Sequence, residues 1–274
     1  MGYDAWIFTL GNEVVEGRVI NTNASYLGRR LTLLGFKVRG VVSLPDDVAL
    51  ISSFISYVLG LKPRVVVTTG GLGPTYDDRT LEAVARALGR NLLLNAEALS
   101  MVRAKYSEIG LPITEERLKM AKLPEGASPI PNPVGTAPGS WLVVDETIIV
   151  SLPGVPKELE AMWSEWVEPR LKSVGPGLTI SEGTIKVVGV PESTAAAVVK
   201  RLVKEFSNVY IKTHPRGHEI RGPVLEVYVM ASSQDPARAA ELVSNVVGIL
   251  KERFRELGGD VVGVSLPRGY NLLK

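Results

Sequence analysis

The chain of 274 residues has no cysteine and two histidines. Without cysteine there is no disulfide, no thiol nucleophile and no thiolate-held zinc or iron–sulfur cluster. Neither a haem, a flavin nor a zinc site is expected. His214 and His218 lie in one polar loop, so a histidine-based triad elsewhere would have to borrow from it. A net charge of +2 gives no excess of either sign to recognise a polyanion. No apolar run approaches the roughly 18 residues needed to span a bilayer. The start, Met1-Gly2-Tyr3-Asp4, lacks the basic segment of a secretory signal, and Trp6 stands where a myristoylation motif needs Ser or Thr. A cytoplasmic protein with no membrane partner is expected. Hydrophobic residues at 45% and charged residues at 22% fit a globular chain long enough for one large domain or two modest ones.

Apolar periodicity organises the first 90 residues as strand and helix in alternation. Trp6–Leu10, Phe36–Leu44 and Val65–Thr69 read as strands, and 23–34 and 48–59 as helices. That βαβαβ order predicts a parallel, doubly wound sheet. Two more helices are expected near 96–109 and 114–122, then a Pro/Gly-rich loop with four prolines in 129–138. A hairpin turns at Asp145-Glu146, and Pro156 suits the first position of a helix over 157–171. Val174-Gly175-Pro176-Gly177 is the best linker. Beyond it, βαββαβ signals predict a small ferredoxin-like α+β domain. The expected division is 1–172 for the ligand domain, 178–266 for the small domain and 267–274 for a tail.

Val65-Val66-Val67-Thr68-Thr69 runs directly into Gly70-Gly71-Leu72-Gly73-Pro74-Thr75-Tyr76-Asp77-Asp78, and a helical pattern follows. Strand, glycine turn and helix start form a ligand site at the carboxyl edge of a parallel sheet. Glycines admit a close approach of ligand to backbone, and a new helix favours an anion. No lysine falls between Lys62 and Lys105, so this is not a Walker loop, and the glycine spacing is not the dinucleotide fingerprint. Three other loops follow strands and would converge here: Gly11-Asn12-Glu13-Val14-Val15-Glu16-Gly17, Asn132–Gly139 and Leu152-Pro153-Gly154-Val155-Pro156-Lys157-Glu158. Asp77 and Asp78 would anchor a hard cation, Mg²⁺, Mn²⁺ or Co²⁺, or one of them would merely cap the next helix. Asn23 is either a ligand contact or the cap of the first long helix. Glu13 is taken as functional, Glu16 as a surface residue, and Lys157 as either a phosphate partner or solvated. The His214–His218 loop is read as a solvated hairpin tip. No Gly-x-x-Gly grip occurs in 179–206, so nucleic acid is not expected as a partner.

Gly11-Asn12-Glu13, Asn21-Thr22-Asn23-Ala24, Thr69-Gly70-Gly71-Leu72-Gly73-Pro74-Thr75 with Asp77-Asp78, Asn132 with Gly135-Thr136-Ala137-Pro138-Gly139, and Leu152-Pro153-Gly154-Val155-Pro156 together resemble the motif series of the CinA amino-terminal domain. That domain belongs to the MoaB/Mog molybdopterin-binding fold, and the resemblance covers roughly residues 4–165. From residue 179 on, the element order resembles the small KH-like domain of CinA proteins. The resemblance implies a three-layer α/β/α domain, a homo-oligomer, and a nucleotide- or pterin-like ligand at the glycine turn. It implies divalent-metal-dependent hydrolysis of ADP-ribose- or FAD-type pyrophosphates, with Asp77, Asp78 and Glu13 catalytic and Asp77 and Asp78 on the metal. The ligand contacts it implies are Gly11, Asn12, Asn23, Thr69, Gly70, Gly71, Gly73, Pro74, Thr75, Asn132, Gly135, Thr136, Ala137, Gly139, Pro153, Gly154 and Pro156. A molybdopterin-binding protein or adenylyltransferase, or a regulatory module that binds without turnover, are the alternatives. CinA proteins usually carry Asp where this chain has Asn12 and Asn21. Bacterial CinA also continues into a nicotinamide mononucleotide deamidase domain, an activity not expected in a chain ending at Lys274.

Overall fold

The alternation in the first 90 residues builds the parallel sheet it predicts. The structure, a computed structural model, describes residues 2–217 and 222–267. The chain divides into two compact units, Met1–Pro176 and Gly177–Lys274. The first unit opens with β1 (Asp4–Leu10), a short α1 (Asn12–Val15), α2 (Thr22–Leu33), β2 (Lys37–Leu44), α3 (Val48–Gly60) and β3 (Val65–Thr69). It continues with α4 (Thr80–Ala87), β4 (Leu92–Leu94), α5 (Ala96–Glu108), α6 (Glu115–Lys119), β5 (Lys122–Pro124) and β6 (Ser128–Ile130). β7 (Gly139–Val144), β8 (Thr147–Leu152), α7 (Pro156–Met162), a π turn (Trp163–Val167) and α8 (Glu168–Val174) complete it.

The main sheet runs β2-β1-β3-β8-β7-β6. β2, β1, β3 and β8 are parallel, and β7 is antiparallel to both neighbours. The central strands are buried on both faces, which is why β3 is an unbroken β-branched run. Alternate residues divide between two cores. Phe8, Val66 and Ile149 meet α3, α4 and α5, whereas Ile7, Val67 and Val150 meet α2, α7 and α8. The first unit is therefore a three-layer α/β/α sandwich.

Two expected helices differ. The one placed at 114–122 is only the five-residue α6, because Lys122-Leu123-Pro124 pairs instead with β4. The one placed at 157–171 is interrupted by the π turn. Pro169 has no N–H to continue the regular ladder, and the Glu168 N–H reaches Trp163 O instead.

The second unit contains β9 (Thr179–Val188), α9 (Glu192–Glu205), β10 (Val209–Pro215), β11 (Val224–Ser233), α10 (Pro236–Glu256) and β12 (Asp260–Ser265). Its sheet order, β10-β11-β9-β12, is antiparallel throughout and inserts β11 between β9 and β10, the split βαβ arrangement. Ile185, Val227, Val243 and Leu250 centre its core. His218 and residues 268–274 lie outside the described residues; His214 is exposed on β10. No helix among the described residues is long and apolar enough to cross a membrane.

Candidate ligand pocket

β1, β3 and β8 are neighbours, and Leu10, Thr69 and Leu152 end them at one edge of the sheet. The chain passes from β1 to β2 on one side and then to β3 on the other, so this edge is a topological switch point. The loops leaving at Gly11, Gly70 and Pro153, with the tip of the 132–139 loop, enclose a crevice of about 580 Å³. Of the expected contacts, Gly11, Glu13, Gly70, Gly71, Gly73, Pro74, Thr75, Asp77, Asp78, Thr136, Ala137, Pro153, Gly154 and Pro156 line it.

The glycine turn is folded tightly against its neighbours. Gly70 has φ 104°, and a Cβ there would collide with the Leu10 carbonyl, so only glycine lets β3 end beside β1. The Gly70 N–H donates to Leu152 O at 3.0 Å, and Thr80 Oγ1 donates to Gly70 O at 2.7 Å. Neither aspartate caps α4: its N-cap residue is Arg79, with no side-chain cap bond. Both carboxylates turn back onto Thr75. Thr75 Oγ1 lies 2.5 Å from Asp77 Oδ1 and 2.5 Å from Asp78 Oδ2, and the Thr75 N–H donates to Asp78 Oδ2 at 2.9 Å. The Thr75 hydroxyl holds the Asp77 carboxyl below its ordinary pKa. Lys119 donates to Thr75 O and borders an adjoining cavity of about 280 Å³ that shares Gly71, Gly73 and Asp78. Burial lowers its pKa, against the opposing pull of Asp78 and Asp77.

Several expected contacts are supports instead. Asn132 is buried and makes four bonds. Its amide nitrogen donates to Ala137 O at 2.9 Å and Glu158 Oε2 at 2.8 Å, and its oxygen accepts from the N–H groups of Val134 at 3.1 Å and Gly135 at 2.7 Å. Gly135 leaves the space that Glu158 fills. Gly139 pairs with Ile130 in the sheet, and a Cβ there would meet Ser151 O at 2.7 Å, so it serves strand packing. Asn12 faces Asp46 rather than the crevice: its N–H donates to Asp46 Oδ2 at 3.0 Å, and Asp46 N–H donates to Asn12 Oδ1 at 3.4 Å.

Asn23 does not cap α2. Asn21 does, accepting from Ala24 N–H at 3.1 Å while its amide donates to Thr9 Oγ1 at 2.9 Å. Asn23 is thereby free to donate to Thr69 Oγ1 at 3.0 Å and Gly154 O at 2.8 Å. With Thr69, it borders a side crevice of about 70 Å³. Glu16 is an exposed partner of Arg18, as a surface residue should be. Lys157 is exposed and does not line the crevice.

Asp46 lines the crevice without having been expected to, and Glu158, the last residue of the expected 152–158 loop, lines it too. Pro45-Asp46 reads as a helix start, yet it follows β2 at the same sheet edge as Gly11, which is the signal that locates it. Burial raises the Asp46 carboxyl above its ordinary range; the Asn12 N–H opposes this, and Glu13, Asp77 and Asp78 add to it. The crevice thus carries five carboxylates, Glu13, Asp46, Asp77, Asp78 and Glu158, and no Lys, Arg or His among its described lining residues.

An α/β/α sandwich with a crevice over its strand-order reversal is a ligand-binding class of protein. The chain belongs to the family described as "Probable molybdopterin binding domain", which matches residues 6–173. A protein of Metallosphaera sedula is 48% identical over 267 residues, covering 97% of this chain and 100% of that one. One from Aeropyrum pernix is 49% identical over 259 residues, covering 94% and 96%. The crystal structure of CinA, a protein with unknown function from Thermoplasma acidophilum, is 42% identical to this chain. It covers 61% of this chain and 98% of its own, with a TM-score of 0.57. The CinA resemblance read from the loop motifs holds.

Proposed function

We propose that the crevice binds a nucleotide- or pterin-type ligand through its phosphates, together with a divalent cation, and hydrolyses the pyrophosphate of an ADP-ribose- or FAD-like compound. The observation that carries this reading is the glycine turn at a switch point facing five carboxylates with no cationic side chain in the lining. Such a wall repels a bare phosphate, and a divalent cation carried with the ligand reverses that sign.

Among the described residues no three His, Asp or Glu stand close enough to cage a metal. Asp77 and Asp78 share the Thr75 hydroxyl, which has one proton for two carboxylates. The pair fits a hard cation held by one or two carboxylates, with the remaining ligands from phosphate and water. When bound, the cation withdraws charge from the phosphates. The backbone from Gly70 to Thr75 orients the phosphates. Asp46, with its raised pKa, takes one proton of a water whose oxygen bonds to one phosphorus as the bridging phosphorus–oxygen bond breaks. AMP and a second phosphomonoester leave, and Asp46 returns its proton to solvent. Asn12 positions Asp46, and Asn132 positions Glu158.

The test is incubation of the purified chain with ADP-ribose, FAD, NAD or ATP plus Mg²⁺, Mn²⁺ or Co²⁺, with products separated by chromatography. AMP formed by wild type but not by Asp78→Ala supports hydrolysis. The family description favours a second reading, a molybdopterin-binding protein or adenylyltransferase. Silence on all substrates with measurable molybdopterin binding selects it. Silence with binding of ADP-ribose alone leaves a regulatory module.

A further inference from the structure

The five carboxylates of the crevice face no cation, but the sign reverses on the other side of the glycine turn. The adjoining cavity of about 280 Å³ is also lined by Gly71, Leu72, Gly73 and Asp78, and it adds Arg79, Lys119 and Lys122. Arg79 is already paired: its Nε and Nη2 lie 2.8 and 2.6 Å from the Glu82 carboxylate, so those two charges cancel. Two ammonium groups then remain against the single carboxylate of Asp78, which accepts from the Thr75 N–H and hydroxyl. Lys119 ends α6 and Lys122 opens β5, and buried Met120 and Ala121 between them fix both to the core. Lys119 is half-buried beside apolar Leu72, Leu81 and Met120. Burial lowers its pKa, against the pull of Asp78 and Asp77. One of its three N–H groups goes to Thr75 O, and neither lysine forms an ion pair among the described residues. A partly desolvated ammonium with unused donors lacks a counter-charge.

We propose that this annex is a phosphomonoester subsite that fills without a metal, with Lys119 and Lys122 as its charged donors. Two ammonium groups match the charge of about −2 that a phosphomonoester carries above its second pKa near 6. Lysine binds phosphate as a point charge, and the apolar floor strengthens that attraction. A carboxylate would match only one of the two. The crevice and the annex therefore select opposite partners: a phosphate with its divalent cation on one side of Gly71-Leu72-Gly73, and a bare phosphate on the other. The inference rests on the proposed pyrophosphate site only for where the anion comes from. It is either a phosphate that the ligand carries beyond its pyrophosphate, or the phosphomonoester that hydrolysis releases.

Phosphorus NMR titration of the full chain with ribose 5-phosphate, at about pH 8 in excess chelator, tests the annex apart from the crevice. Wild type is expected to bind it with a dissociation constant of about 1 mM, weakening as salt rises. Lys119→Gln/Lys122→Gln should weaken it about tenfold or more, with inorganic pyrophosphate and Mg²⁺ still bound as in wild type. Lys122→Gln, at an exposed position, serves if the double variant fails to fold. Asp77→Asn/Asp78→Asn should do the reverse, losing Mg²⁺-dependent pyrophosphate binding while keeping ribose 5-phosphate. With Mg²⁺, NADP held about tenfold more tightly than NAD assigns the anion to the ligand, and equal affinities assign it to the released product. No saturable ribose 5-phosphate binding in chelator overturns the inference, as does binding that the lysine substitutions leave unchanged. Pyrophosphate binding indifferent to Mg²⁺ overturns the crevice reading alone.

Discussion

Asn132 donates its side-chain amide to Glu158 Oε2 at 2.8 Å and so joins the loop before β7 to the first turn of α7. The same side chain closes its own loop with three further bonds, so every polar atom of the buried amide is used. Asn132→Ala removes these bonds and leaves buried backbone groups unpaired, at a cost of about 2–4 kcal/mol. Asn132→Asp instead sets a carboxylate against Glu158. Both should lower the denaturant midpoint and weaken ligand binding, which calorimetric titration would measure.

The backbone at Gly70 allows a sharper comparison. Gly70→Ala drives a Cβ into the Leu10 carbonyl at positive φ and should cost more than about 3 kcal/mol, enough to reduce soluble yield. Gly17, at φ 74° with open space around it, is the control. Gly17→Ala should cost about 1 kcal/mol. Equal costs for the two in urea denaturation would contradict the close approach of β1 and β3.

Asp46 is destabilising when charged. Its folded-state pKa lies above the ordinary 3.8, so the folded protein holds that proton more tightly than the unfolded chain. Its contribution to stability is complete below pH 3.8 and is lost as pH rises through the raised folded value. Asp46→Asn keeps an oxygen for the Asn12 N–H and removes the charge. A higher melting temperature than wild type at pH 7, with no gain at pH 3, is expected. AMP production should fall by about 10²–10⁴-fold.

Asn21 and Asn23 exchange the roles that helix capping alone would assign. Asn21→Ala should cost about 1 kcal/mol by removing the α2 cap, while ligand affinity changes little. Asn23→Ala should leave the helix intact and free the 153–156 loop, weakening binding about tenfold. The reverse pattern in paired melting and titration experiments would contradict this assignment.

The strands were the most legible feature of the sequence. Val65-Val66-Val67 has no polar alternation, and that pattern locates a doubly covered parallel strand and the glycine turn after it. Once the strand order is known, the loops of Gly11, Gly70 and Pro153 must share an edge. The roles of individual side chains were less legible, because partners distant in sequence decide them. Asn132 resembles a ligand contact until Glu158 is beside it, and Asp46 resembles a helix start until β2 is placed next to β1. Asp77 and Asp78 look like caps because they precede a helix, but Thr75 three residues before Asp78 claims both carboxylates. The π turn was equally hidden, since one proline in a helical pattern does not say how the ladder will accommodate it.

The acidic wall of the crevice gives the most direct test. Binding of ADP-ribose, FAD and inorganic pyrophosphate is titrated calorimetrically with Mg²⁺ and again in excess chelator, for wild type and Asp77→Asn/Asp78→Asn. Expected is tight binding of at least one pyrophosphate compound by wild type with Mg²⁺, weakened by about 100-fold or more in chelator and similarly in the double variant. Equal affinity with and without the cation, unaffected by the substitutions, would contradict a crevice that admits phosphate only with a divalent ion.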